Sequence, residues 1–216
     1  MRLKVPTKAS DLTLEQVQKM LLIDKNEDID EFAKRVHVVA VATGKTAQEI
    51  GVVHLDDLNQ IYDNLTAMTS RGGNEPLTRY VKYLGREYAF IEDVRDMETG
   101  AFIDIDQMTK QDKYAENLHK IMAAIYRPID AKWGDRYRLK SYVKEDPKDR
   151  EERQAIFLRH MTFDVVRGAA GFFLLVMQKS LNILDGSFRI PGVETMIRMT
   201  AGVGTTLSTQ LAEETL

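Results

Sequence analysis

The chain has 216 residues, with 30 basic side chains against 33 acidic ones and no cysteine. Disulfides, cysteine-ligated zinc, iron–sulfur clusters and a thiol nucleophile are therefore excluded, and a net charge of −3 gives no chain-wide attraction to nucleic acid. Apolar residues at 44% and charged residues at 29% are globular proportions, enough for one domain with a real core.

No apolar run reaches the roughly 18 residues of a membrane span. Met1-Arg2-Leu3-Lys4-Val5-Pro6 lacks the apolar stretch of a secretion signal. The absence of cysteine fits a protein of a reducing cytoplasm.

In chain order, Thr13 and Gln16 form a capping box that predicts a helix from Leu14, with Val17, Leu21 and Leu22 on its apolar stripe. A second helix is predicted from Ile29 to Ala42, with Gly44 just beyond its C-terminus. Thr46 and Glu49 form a second capping box, opening a short helix that Gly51 ends. Leu55 to Thr69 is the next long helix, stopped by Gly72-Gly73.

The pattern then changes. Tyr80-Val81-Lys82-Tyr83 and Glu87-Tyr88-Ala89-Phe90-Ile91 flank Leu84-Gly85-Arg86, so residues 77–91 read as a β-hairpin. Tyr80 with Tyr88, or Tyr83 with Phe90, should share the face that covers helices. Two strands are marginal alone, and the alternation from Arg136 to Tyr142 makes that segment the expected third strand. Between them lie helices at Thr99–Met108 and Tyr114–Tyr126, the second halted by Pro128. The charged run from Lys144 to Arg153 is a linker or the start of a helix that continues to His160. Thr162 reads as the cap of a last helix from Phe163 to Leu184, closed by Gly186. Residues 187–216 hold few large apolar side chains and are expected to form a flexible tail, leaving one domain at 1–186.

Residues that could carry chemistry have plain structural readings. Gly44-Lys45-Thr46 ends like a phosphate-binding loop, but Val39 stands where the first glycine belongs, so it reads as a helix end and the next cap. His37, His54, His119 and His160 show no metal-binding spacing. Asp104 and Asp106 are two apart and would face different ways on a helix. The stretch holding Arg127, Arg136, Arg138, Lys140 and Lys144 is interleaved with Tyr126, Trp133, Tyr137 and Tyr142, as a groove for single-stranded nucleic acid would be. It also contains Asp130, Asp135, Glu145 and Asp146, which favours a solvated strand face.

Gly168-Ala169-Ala170-Gly171 precedes the most apolar run, Phe172-Phe173-Leu174-Leu175-Val176-Met177. Small residues allow close helix packing, and the six apolar residues sweep the whole helix circumference. The run belongs in a core, against the 114–126 helix, or at a partner interface. Phe172, Phe173, Leu174 and Met177 are the candidate partner-binding residues.

Four phrases stand in a fixed order ahead of the Gly171-Phe172-Phe173 helix. They are Tyr88-Ala89-Phe90-Ile91-Glu92-Asp93, Gly100-Ala101-Phe102-Ile103-Asp104-Ile105-Asp106, Asn117-Leu118-His119-Lys120 through Tyr126-Arg127-Pro128-Ile129, and Asp135-Arg136-Tyr137-Arg138-Leu139-Lys140-Ser141-Tyr142. Their order resembles that of small proteins of tailed bacteriophages, either tail-assembly-chaperone-like or minor virion proteins. Asn117, His119, Arg127 and Pro128 are the structural signature, and the likeness covers about residues 1–185. It implies a non-enzymatic protein without cofactor or metal, acting in virion assembly in the host cytoplasm. Its partners would be tape-measure, tail-tube or other virion proteins, or a second copy in a homo-oligomer. Nucleic acid is disfavoured as a partner and a membrane is excluded. The alternatives are a minor structural protein of the tail or head–tail connector and, from another class, a single-stranded nucleic-acid-binding protein. The expected fold is mainly α with a small antiparallel β element, an α+β domain.

Overall fold

The computed structural model describes residues 3–70, 75–109, 114–134 and 136–171. Among these residues, eight α-helices and a four-stranded antiparallel sheet make an α+β fold. The helices are α1 (Leu14–Lys25), α2 (Glu31–Thr43), α3 (Ala47–Ile50), α4 (Leu55–Ser70), α5 (Thr99–Thr109), α6 (Tyr114–Ile125), α7 (Pro147–His160) and α8 over 163–171. The strands are β1 (Tyr80–Tyr83), β2 (Arg86–Phe90), β3 (Tyr126–Trp133) and β4 (Arg136–Leu139), in the order β1-β2-β3-β4.

Local chemistry sets the helix ends. The Thr13 hydroxyl accepts from the Gln16 amide at 3.3 Å while the Gln16 side chain accepts from the Thr13 amide at 2.9 Å. Thr46 and Glu49 repeat the exchange at 3.2 and 2.8 Å. Gly44 ends α2 with φ 69°, a left-handed geometry that glycine adopts without strain. The second helix therefore starts at Glu31, two residues after Ile29, because the Asp30 carboxylate accepts from the amides of Phe32 and Ala33. The charged run resolves as a helix: Asp146 caps α7 and Pro147 occupies its first turn.

The β-hairpin lies within the expected residues, with the two-residue turn Leu84-Gly85 at φ 50° and 80°. Its register settles which aromatics face inward. Val81 lies opposite Tyr88 and Tyr80 opposite Ala89, so Tyr80 and Tyr88 stand on opposite faces. Tyr83 and Phe90 do share the covered face with Tyr88. There Tyr83, Tyr88 and Tyr126 surround the buried ring of Phe157 from α7, with centroids 5.9, 4.9 and 6.3 Å away. All three contacts are edge-to-face, which adds about 0.5–1.5 kcal/mol per pair to the burial itself.

The expected third strand is in fact the fourth. Tyr126–Trp133 forms β3 directly after α6, and Arg136–Leu139 pairs beyond it. Pro128 marks the changeover in a strand that is paired on both sides. Tyr126 to Pro128 pair with β2, and Ile129 to Trp133 with β4. The Pro128 carbonyl still accepts from the Lys140 amide at 2.9 Å, and the amide proton that proline lacks falls where the ladder ends. Pro128 stops α6 and permits the strand.

The sheet is strongly curled. In a flat sheet the first and fourth strands would lie roughly 14 Å apart, yet Tyr80 of β1 and Tyr137 of β4 meet at 5.3 Å. A β-bulge between Ile129 and Ala131 supplies the bend.

The covered face of the sheet and α1, α2, α6 and α7 share one core, centred on Leu14, Val17, Val39, Phe90, Ile121, Tyr126 and Phe157. The Thr13–Thr162 bridge closes it, with the Leu14 amide donating to Met161 at 2.7 Å and the Phe163 amide to Leu12 at 2.9 Å. From α8, Arg167 donates to the Met68 carbonyl at 3.1 Å and lies 3.2 Å from Glu75, so its described polar contacts are with the end of α4 and with Glu75. Among the described residues the close approach is at Gly168, against Pro76, and not at Gly171 against α6.

Candidate functional site

A cleft of about 640 Å³ lies inside the curl of the sheet. One wall is β4, all four of whose residues line it. Side chains alternate along a strand, so four consecutive lining residues place the cleft along the strand's outer edge as well as its inner face. Arg79, Tyr80 and the segment around Glu92, Asp96 and Glu98 make the other walls, and Arg127 makes the floor.

The aromatic pair fixes its shape. The Tyr137 hydroxyl donates to the Phe90 carbonyl at 3.0 Å, pinning β4 to the end of β2. Burial, then the nearby Glu92 carboxylate, pushes the Tyr137 phenol up to about 12, so it stays a donor at neutral pH. Tyr80 sits edge-on to Tyr137 and is 42% exposed, with the Lys132 ammonium 5.4 Å from its ring centre.

The floor is held by Glu98. Its carboxylate accepts from the amides of Tyr142 and Val143 at 3.2 and 2.9 Å, from the Ser141 hydroxyl at 3.2 Å and from Arg127 at 3.0 Å. Burial acts to raise the Glu98 carboxyl; the Val143 amide, Arg127 and Ser141 outweigh it and hold it below the ordinary carboxylate range. Arg127, only 4% exposed, also donates through Nε to the Lys140 carbonyl at 2.9 Å. Its partners are thus a carboxylate and the backbone just beyond β4.

The charges around the cleft pair off unevenly. Arg79 meets Glu92 at 3.4 Å, Arg127 meets Glu98, and Arg138 donates to Asp130 at 2.8 Å. Arg136 is exposed and makes no ion pair among the described residues.

The remaining candidates are distributed elsewhere. Phe172, Phe173, Leu174 and Met177 lie outside the described residues, as does the 187–216 tail. Asn117 is half-buried on α6. His119 Nδ1 lies 3.1 Å from the Gln18 side-chain oxygen, joining α6 to α1, and burial followed by Lys120 lowers its pKa. Lys45 pairs with Glu49 at 3.1 Å beside the cap at Thr46. Asp104 accepts from the Tyr142 hydroxyl at 2.7 Å. Among the described residues no group of three or more histidines and carboxylates could hold a metal, and no helix is long and apolar enough to cross a membrane.

The sequence reading picks out Arg127, Arg136 and Tyr137 but misses Glu98, the residue that organises the floor. It also misses the buried pair of Glu145 and Arg153 beneath the sheet. Arg153 had a legible signal: it stands at i−3 and i−4 to Ile156 and Phe157, on the apolar stripe of α7. Glu98 had none, because four of its partners are 29 to 45 residues away in the chain.

No family model, curated protein or solved structure matches this chain.

Proposed function

We propose that this chain is a non-enzymatic protein of a tailed bacteriophage that acts in virion assembly, the tail above all, by binding other phage proteins. The observation that carries the reading is the cleft along β4. Aromatic rings and arginines are the side chains that protein interfaces favour, and here Tyr80, Tyr137, Arg79 and Arg136 converge on an open strand edge. Two of its charged residues, Glu98 and Arg127, are engaged in holding backbone, which suits a surface that binds. The resemblance to small proteins of tailed bacteriophages, tail-assembly-chaperone-like or minor virion proteins, carried by the ordered phrases from Tyr88 to Tyr142, supports the same reading.

Co-expression with the tape-measure and tail-tube proteins of the same phage tests it. The expected result is co-purification that Tyr80→Ala and Tyr137→Ala weaken together. Mass spectrometry of purified virions then separates a chaperone, absent from the particle, from a minor structural protein of the tail or head–tail connector. Failure to co-purify with any virion protein overturns the reading.

The second reading, a single-stranded nucleic-acid-binding protein, is favoured by one observation: Lys132 lies over the Tyr80 ring, and Arg136 lines the same cleft as Tyr80 and Tyr137. It requires retention on single-stranded DNA that falls steeply with salt.

A further inference from the structure

We propose that the cleft binds an extended acidic segment of a partner protein as a fifth strand, added to the free edge of β4. The proposal rests on the protein-binding reading above and specifies its chemistry.

The backbone geometry comes first. Among the described residues β4 is the last strand of the sheet, so one of its edges has no described strand beside it. In an antiparallel pair, residues alternate between bonding across the ladder and pointing their amide and carbonyl outward. The Lys140 amide donates to Pro128 on β3, which turns the backbone groups of Leu139, and two residues earlier Tyr137, toward the outer edge. That edge borders the cleft, whose lining includes Tyr137 and Leu139 themselves. An extended chain laid there would find a donor and an acceptor at every second residue, the mode by which peptides augment sheets.

Charge selects the occupant. Arg79, Arg127 and Arg138 each meet a carboxylate of this chain, whereas Arg136 meets none among the described residues. Lys132, opposite Tyr137 on the other face, adds a second cation beside the Tyr80 ring, 5.4 Å from its centre. A carboxylate on the incoming strand would complete Arg136 with a charge-assisted bond, and the next residue, on the other face, would lie against the Tyr80–Tyr137 rings. The favoured segment alternates acidic with β-branched or aromatic residues over about four positions, the length of β4. An isolated Arg136 also serves as the edge's protection against pairing with other strands of like charge.

The test uses the full chain and fluorescein-labelled octapeptides, followed by polarisation. One peptide alternates valine with glutamate, one alternates valine with lysine, and a third is the acidic peptide with two alternate valines replaced by proline, which removes amide donors. The expected result is saturable binding of the acidic peptide alone. Affinity should fall about tenfold for Arg136→Glu and for the proline peptide, while the melting temperature of the variant stays that of the parent. Equal binding of the proline peptide would overturn strand addition, and equal binding by Arg136→Glu would overturn the role of that residue. No binding of the acidic peptide, tighter binding of a single-stranded oligonucleotide, or a concentration-dependent dimer that Arg136→Glu abolishes would each overturn the proposal. Undiminished co-purification with tail proteins in Arg136→Glu would overturn the role of Arg136 in choosing an acidic strand and leave the assembly reading standing.

Discussion

Arg153 holds Glu145 through both carboxylate oxygens in a pair almost wholly withdrawn from water, with side-chain exposures of 2% and 3%. The arginine has a further task. Its Nε donates to the Ala123 carbonyl at 3.2 Å, near the end of α6, where the chain turns straight into β3 without a glycine cap. One guanidinium therefore satisfies a helix end and neutralises a carboxylate under the sheet.

Removing one partner should expose that dependence. Arg153→Met leaves the buried Glu145 with only the more distant Arg150, 3.7 Å away, and a loss of up to about 3–5 kcal/mol is expected. Glu145→Gln in the same chain should recover part of it, since a neutral amide no longer needs a charge. Urea unfolding of the single and double variants measures both. Additive losses would show that the two residues do not act as a pair.

The His119–Gln18 contact sets a pH dependence. Burial, then Lys120, lowers the His119 pKa in the folded chain. An unfolded histidine takes its proton near about 6.5. Between that value and the lower folded one, the unfolded chain binds more protons, so stability falls as pH falls. Gln18 donates to the Glu116 carbonyl and turns its oxygen to His119, so a neutral ring donating through Nδ1 fits this arrangement. Melting temperature should decline as pH drops below about 6.5, and His119→Gln should flatten that part of the curve. An unchanged slope in the variant would assign the decline to another group.

Much of the fold was legible because its signals are local. The boxes at Thr13–Gln16 and Thr46–Glu49, Gly44 and the Leu84-Gly85 turn each act over four residues or fewer, and each sits where the sequence places it. β3 was hidden because Tyr126-Arg127-Pro128 continues the apolar run of α6 and proline argues against a paired strand. Only the register shows that Pro128 falls between two ladders. The cleft was half legible. Arg136 and Tyr137 belong to a recognisable aromatic and basic stretch, but Tyr80 reaches them through the curl of the sheet, which no local pattern encodes.

The hairpin turn holds a removable strain. Leu84 adopts φ 50° at the first turn position and is 69% exposed, so its side chain gives little in return. Asparagine and glycine tolerate that conformation far better than leucine. Leu84→Asn should stabilise the chain by about 0.5–1 kcal/mol, and Gly85→Ala, at φ 80°, should destabilise it by about 1–2 kcal/mol. Thermal melts of the two variants should move in opposite directions; a lower melting temperature for Leu84→Asn would mean that the exposed leucine contributes contacts of its own.

The two glycines of α8 should also answer oppositely, which locates its close contact. A methyl group added at Gly168 would lie 2.6 Å from the Pro76 carbonyl oxygen and 3.3 Å from that of Glu75. Both atoms are backbone, so no side-chain rotation relieves the overlap. Arg167, the preceding residue, pins the same segment through Glu75 at 3.2 Å, so the helix cannot shift away freely. Gly168→Ala should cost about 1–3 kcal/mol through overpacking. At Gly171 no described atom lies within 4 Å of the added methyl. There alanine is the better helix former by about 1 kcal/mol, so Gly171→Ala should leave stability unchanged or raise it. Urea midpoints of the two variants decide the matter. A loss at Gly171 equal to that at Gly168 would mean that α8 packs closely along its whole length, and the contact with residues 75–76 would then not be the one that positions it.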